Sequence, residues 1–327
     1  MRRLATARTI LDIQPIPGAD AIECATVDGW KVVVKKGEFQ IGQLATYCEI
    51  DSWIPENVAP FLCKDKREFN GIPGARLRTV KLRGQISQGL LLPAPAAAND
   101  GDDLTEALGI QKYEAPVSAQ LAGIARSNFP SFVPKTDQER IQNLRRDLAD
   151  WAESGFEWEV TEKLDGSSMT AYLMGDTFGV CSRNLDLIES DGNSFWRSAR
   201  ANDLENILRA SGRNIALQGE LIGPSIQGNR YQLADHEFRL FDVYDIDAGR
   251  YMTADERAEF IAGTRILHVP VLPRTNLGGT DVTSLLAEAE GKSLLNQAAE
   301  REGLVFKCLN SEASFKVISN KFLLNEK

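Results

Sequence analysis

The first hundred residues turn too often to form long helices. A β-branched run over residues 31–35 follows the turn pair Asp28-Gly29, residues 44–50 alternate, and Lys36-Gly37 and Ile41-Gly42 punctuate the interval. Short apolar runs between glycine-bearing turns read as strands. Residues 76–83 read as one alternating strand whose basic face carries Arg76, Arg78, Lys81 and Arg83. Residues 88–93 read as a buried strand closed by Pro93.

About five short strands in this length suit a small barrel of the OB type. A basic strand face on such a barrel suits a nucleic-acid groove; on the alternation alone, a solvated outer face is an equal reading. Residues 93–123, rich in Ala, Pro, Asp and Gly, read as the exit from the barrel. Thr136-Asp137-Gln138-Glu139 then fits a capping box, and Ile141, Leu144, Leu148 and Trp151 recur at helical spacing. Beyond, residues 156–173, 178–183, 215–222 and 238–244 read as strands, and 194–211, 253–262 and 282–301 as helices. No regular βαβ repeat, G-x-G-x-x-G or Walker-A loop is present, so an α+β domain with antiparallel sheets is expected. The expected layout is an all-β OB-fold domain over 1–115, a linker over 116–135 and an α+β domain over 136–327.

The net charge of −9, from 37 basic and 46 acidic residues, at first argues against a polyanionic partner. Its distribution reverses that reading. Residues 1–130 hold 15 basic and 15 acidic residues, and residues 64–83 hold seven of those cations against two acids. The second part carries the whole excess. Five cysteines without a C-x-x-C pair, no signal-like apolar core and no long apolar run together point to a soluble protein of the reducing cytoplasm, with no membrane partner. A monomer is expected, though the sequence does not itself set the oligomeric state.

One motif suggests chemistry. Glu162-Lys163-Leu164-Asp165-Gly166-Ser167 places a lysine at a strand end before a tight turn. Alone it is equally a strand with a solvated lysine. Ordered after it come Ser182-Arg183-Asn184, Gln218-Gly219-Glu220, Phe241-Asp242-Val243-Tyr244, Glu302-Gly303-Leu304-Val305-Phe306-Lys307 and Ser314-Phe315-Lys316-Val317. A lysine, an arginine, spaced glutamates, an aromatic ring and late lysines are the parts that bind a nucleoside triphosphate with a divalent metal.

In this order the elements resemble the covalent nucleotidyltransferase superfamily of ATP-dependent ligases and capping enzymes, whose catalytic domain has ATP-grasp-like antiparallel sheets. Residues 17–23, 28–30, 47–52, 82–89 and 315–321 extend the resemblance to RNA ligases of the Deinococcus type, in which an OB domain leads. It covers nearly the whole chain. The resemblance implies that Lys163 takes AMP from ATP, passes it to a 5′-phosphate, and that a 3′-OH then displaces it. Glu162 would contact adenine and Phe241 stack on it. Arg183 and Glu220 would contact ribose, phosphate and the metal shell, and Glu302 the metal shell. Lys307 and Lys316 would bind phosphate, Lys316 also depressing the Lys163 pKa. The metal would be Mg²⁺ or Mn²⁺, held largely through water. Relatives often carry Lys-x-Lys in the last motif; here Ile318 stands second, so either Lys321 reaches in or one lysine suffices. Arg140 is a further source of charge for the β- and γ-phosphates.

The implied substrate is a nicked duplex with RNA on the 3′-OH side. The alternatives are a capping guanylyltransferase, a DNA ligase, or a nonenzymatic OB-fold RNA-binding protein.

Overall fold

The computed structural model describes residues 2–114 and 123–325, and the chain divides into two compact units. The first comprises residues 1–116, 141–146 and 323–327. Within it, Ala5–Thr9, Leu44–Cys48 and Leu90–Pro93 form one antiparallel sheet with Leu44–Cys48 central. Asp12–Pro15, Ile22–Val27 and Trp30–Lys35 form a second. A third contains Gln111–Lys112, Ser52–Pro55, Ile72–Arg76 and Arg67–Phe69, in that order. Short strands with alternating burial bring Ala25, Val27, Trp30, Val32 and Tyr47 into the interior, where the Trp30 and Tyr47 rings lie 5.6 Å apart.

The single basic strand expected over 76–83 does not form. Arg76 ends one strand, and Val80–Leu82 begins a separate hairpin with Gln85–Ser87. Arg83 and Gly84 turn that hairpin with φ of 49° and 87°. Strict alternation would in any case have parted Arg76 and Arg78 from Lys81 and Arg83.

Residues 141–146 pack onto this first unit. Trp30 Nε1 donates to Asn143 Oδ1 at 2.6 Å, and Asn143 Nδ2 to the buried Glu49 at 2.5 Å. The Arg2 guanidinium is the second partner of Glu49.

The second unit comprises residues 117–140 and 147–322. Its larger sheet has the order Ala125–Asn128, Leu185–Leu187, Thr177–Cys181, Ser167–Met174, Ile215–Ile222, Glu237–Asp245 and Arg250–Tyr251. Helices Ser194–Ala201 and Leu204–Ala210 cover its apolar face through Phe195, Trp196, Leu204 and Leu208. The smaller sheet has the order Glu139–Arg140, Ser314–Ile318, Gly303–Cys308, Glu157–Lys163 and Val271–Asn276. Trp151 stacks on Phe315 of this sheet, and the Phe306 and Phe315 rings stack with centres 4.8 Å apart. Among the described residues no helix is long and apolar enough to cross a membrane.

Several expected elements are shorter than the sequence pattern. The capping box at Thr136 starts no helix, because Glu139 and Arg140 pair in parallel with Phe315 and Lys316 instead. The helix runs over Arg145–Ser154. The helix expected over 194–211 breaks at Asp203, whose φ is 56°. The one expected over 282–301 ends at Ala289, where buried Arg301 donates to the terminal carbonyls of Glu288 and Glu290 at 2.7 and 2.9 Å. Of the expected 116–135 linker, residues 116–122 lie outside the described residues, and Ala125–Asn128 pairs with Leu185–Leu187.

Gly89 tests the packing of the first unit. Its φ is 118°, and a Cβ there would lie 2.4 Å from the Tyr47 ring. Gly89→Ala is expected to cost about 2–3 kcal/mol from strain and overpacking, read as a lower melting temperature.

Candidate active site

Lys163 ends the strand Glu157–Lys163, and a tight turn at residues 164–166 leads straight into Ser167–Met174 in the other sheet. Gly166 permits that crossing, since a Cβ there would lie 2.5 Å from Leu221 O and 2.8 Å from Glu220 Cγ. The turn is held from outside. The Asp165 backbone N–H donates to Tyr231 Oη at 2.7 Å, and Arg230 Nε donates to the Asp165 carboxylate at 3.0 Å. The lysine therefore sits where the two sheets meet.

Around it is a cavity of about 240 Å³ lined by Glu162, Lys163, Arg183, Glu220, Phe241, Lys307 and Lys316, with residues 136–138 at its edge. Lys163 Nζ donates to Glu302 Oε1 at 2.7 Å. Phe241 owes its place to a bulge: Gln218 pairs with Asp242 and Gly219 with Leu240, so Phe241 is the extra residue between them. A bulge re-aims the side chain it carries. Phe241 packs with Leu164, Ile222 and Val269.

The electrostatics differ from the expectation. Burial alone would lower the Lys163 pKa, but the carboxylates of Glu302, Glu220 and Asp165 outweigh it and hold the amine above its ordinary value. The Lys316 ammonium is 2.9 Å from Asp137. Burial raises Glu302, and lifts Glu220 to about 8, with Lys163 opposing and Glu302 and Asp165 adding to the rise. Burial also raises Glu162, against hydrogen bonds from Ser293 and the Leu294 N–H. Glu162 Oε1 and Glu302 Oε2 are buried without a hydrogen-bond partner among the described residues.

Seven nominated residues thus share one cavity, and Glu302 touches its lysine. The others lie elsewhere. Arg140 does not line the cavity; it is buried on the edge strand in register with Lys316. Lys321 does not reach in, because its ammonium lies 3.6 Å from Glu290. Arg76 is engaged by Asp51 at 2.5 Å and stands over the Tyr113 ring. Arg78, Lys81 and Arg83 are exposed. Sequence reasoning missed Asp137, which faces Lys316 and lies 3.9 Å from Arg183, because its capping pattern pointed to a helix.

Among the described residues no group of three His, Cys, Asp or Glu side chains can hold a metal unaided. Two half-buried carboxylates, one with a buried unpartnered oxygen, do fit a hard cation that keeps water and phosphate as its remaining ligands. Glu220 and Glu302 would hold it.

A lysine amine in contact with one carboxylate, in a cavity shared with a second carboxylate, an aromatic ring and two further lysines, is the arrangement of a covalent nucleotidyltransferase. Comparisons with known proteins agree. The RNA ligase family model matches residues 156–318, and an OB-fold domain model matches residues 4–94. Three solved structures of Naegleria gruberi RNA ligase are similar across the chain. A lysine-to-alanine mutant with ATP and Mn is 47% identical, with a TM-score of 0.92 and 99% of each chain covered. A glutamate-to-alanine mutant with AMP and Mn is 47% identical at TM-score 0.93, again over 99% of each chain. The structure with PPi is 48% identical at TM-score 0.91, over 99% of this chain and 98% of that one. No curated protein matches. The chain belongs to the RNA ligase family, with an OB-fold unit ahead of the nucleotidyltransferase unit.

The raised Glu220 pKa has a measurable sign. The folded protein keeps this proton where the unfolded chain has lost it, so the contribution is present below about pH 4.5 and is lost as pH rises through about 8. Glu220→Gln is expected to raise the melting temperature at pH 8 by about 2–4 °C and to flatten its fall between pH 5 and 8. Added Mn²⁺ should stabilise the parent protein at pH 8 and leave the variant nearly unmoved.

Proposed function

We propose that this RNA ligase uses ATP and a divalent cation to seal a 3′-OH to a 5′-phosphate in a nicked duplex, with RNA on the 3′-OH side. The observation that carries the reading is the Lys163 ammonium at 2.7 Å from Glu302, in a cavity shared with Glu162, Glu220, Phe241, Lys307 and Lys316. The ATP, AMP, Mn and PPi of the Naegleria structures support it.

In the first step the Lys163 amine attacks the α-phosphorus and pyrophosphate leaves, giving a lysyl phosphoramidate. AMP then passes to the 5′-phosphate, and attack by the 3′-OH releases it. A covalent intermediate divides one difficult exchange into easier ones. With the protein's own groups alone Lys163 is held protonated, so its proton must leave before attack; Glu302, in hydrogen-bond contact, is positioned to take it. A bound cation would neutralise Glu220 and Glu302, lower the lysine pKa and balance phosphate charge. Phe241 gives the base a stacking face, and Glu162 Oε1 offers an acceptor to an amino group. The acceptor favours adenine over guanine, whose corresponding group is a carbonyl.

Lys163→Ala should abolish covalent labelling by α-labelled ATP, and labelled GTP should not substitute for ATP in the parent protein. Full labelling of the variant would sink the mechanism. For nucleic-acid contact, Arg78→Ala, Lys81→Ala and Arg83→Ala together should weaken sealing, lower its salt slope by about three, and leave lysine labelling unchanged. Nicked duplexes ending in RNA or DNA on the 3′-OH side, compared in one sealing assay, test the requirement for ribose.

A further inference from the structure

Beside the cavity lies a buried ionic cluster that the steps above do not use. Arg257, on the helix Ala254–Ile261, is 2% exposed. Its Nη2 donates to both Glu159 carboxylate oxygens, at 2.6 and 2.5 Å, and its Nη1 lies 3.8 Å from Asp242 Oδ1. Its Nε donates to His268 Nε2 at 3.0 Å, while His268 Nδ1 is 2.7 Å from Val269 O. A carbonyl only accepts, so Nδ1 carries the proton, Nε2 accepts, and the imidazole is neutral. Burial and the Arg257 charge hold its pKa below the ordinary value.

Asp242 in turn accepts from Lys307 Nζ at 2.7 Å, and the same ammonium donates to Phe241 O at 2.8 Å. Two of its three donors are thus engaged inside the protein, and Lys307 lines the cavity. Glu159 and Lys307 sit opposite each other in the smaller sheet, whereas Asp242 belongs to the larger one. Arg257 therefore ties both sheets together behind three cavity residues, Phe241, Val269 and Lys307. Two cations and two carboxylates balance. A buried ion cluster gives little stability over apolar packing of the same volume; what this one supplies is direction.

We infer that Arg257 is a positioning residue for the nucleotide: through Asp242 it sets the place of the Lys307 ammonium, and through His268 the backbone at Val269. The inference rests on the nucleotide reading of the cavity. Lysine at 257 keeps the charge but lacks the fork that meets Glu159, His268 and Asp242 at once. Asparagine at 242 keeps the shape and removes the charge that orients Lys307.

The test is lysine labelling of the full chain against ATP concentration, for the parent, Arg257→Lys and Asp242→Asn, with the labelled fraction at saturation counting active sites and melting temperatures recorded beside it. The expected result is a KM for ATP raised about tenfold in both variants, with a smaller change in the saturating rate per active site. A purely structural role would lower the melting temperature and the number of active sites while leaving KM where it was, and that result overturns the inference. Should Arg257→Lys fail to fold, the near-isosteric Asp242→Asn decides alone. A parent protein that takes no label from ATP overturns the nucleotide reading itself; labelling at unchanged KM in the variants overturns only the positioning role.

Discussion

The structure depends on one electrostatic constraint: a half-buried ammonium and two half-buried carboxylates are held together where two sheets meet. Lys163 comes from the smaller sheet and Glu220 from the larger, so neither sheet alone makes the site. Their mutual attraction offsets part of the desolvation, but not all of it. Glu220 remains well above the ordinary carboxylate range. Such crowded carboxyls are a poor way to stabilise a protein and a good way to attract a small cation, which would replace the proton on Glu220. The close approach at Gly166 follows from the same demand, since any side chain there would drive the turn from Leu221 and Glu220.

Much of this was legible in the sequence, because the chemistry is carried by residues whose order and spacing along strands leave few arrangements. Glu162, Lys163, Arg183, Glu220, Phe241, Lys307 and Lys316 line one cavity as the motif order implied. One of the larger strands was equally visible: Ile215–Ile222 lies where its apolar pattern placed it.

What escaped was set by contacts distant in sequence. Asp137 looked like part of a helix cap, but the neighbouring Glu139 and Arg140 were recruited by the edge of a sheet almost two hundred residues away. The helix from Val282 stops early because Arg301 binds its terminal carbonyls, a tertiary contact that overrides local propensity. The run from Arg76 to Arg83 was misread for a different reason. Its first strand ends at Arg76, a separate hairpin begins at Val80 and turns at Arg83-Gly84, and strict alternation would have put Arg76 and Arg78 on the face opposite Lys81 and Arg83. His268 carried no motif at all; only the fold sets it beside Arg257 and next to a cavity residue.

The segment 141–146 belongs to the first unit although the chain on either side belongs to the second. Trp30 and Glu49 both spend their polar groups on Asn143, and Ile141 is fully buried. The units are therefore interleaved, and no single cut returns both whole. Inheritance must respect that weave. A recombinant joining the first hundred residues of one parent to the remainder of another would need the six residues of 141–146 from the first parent as well, or would leave a buried glutamate without one of its partners.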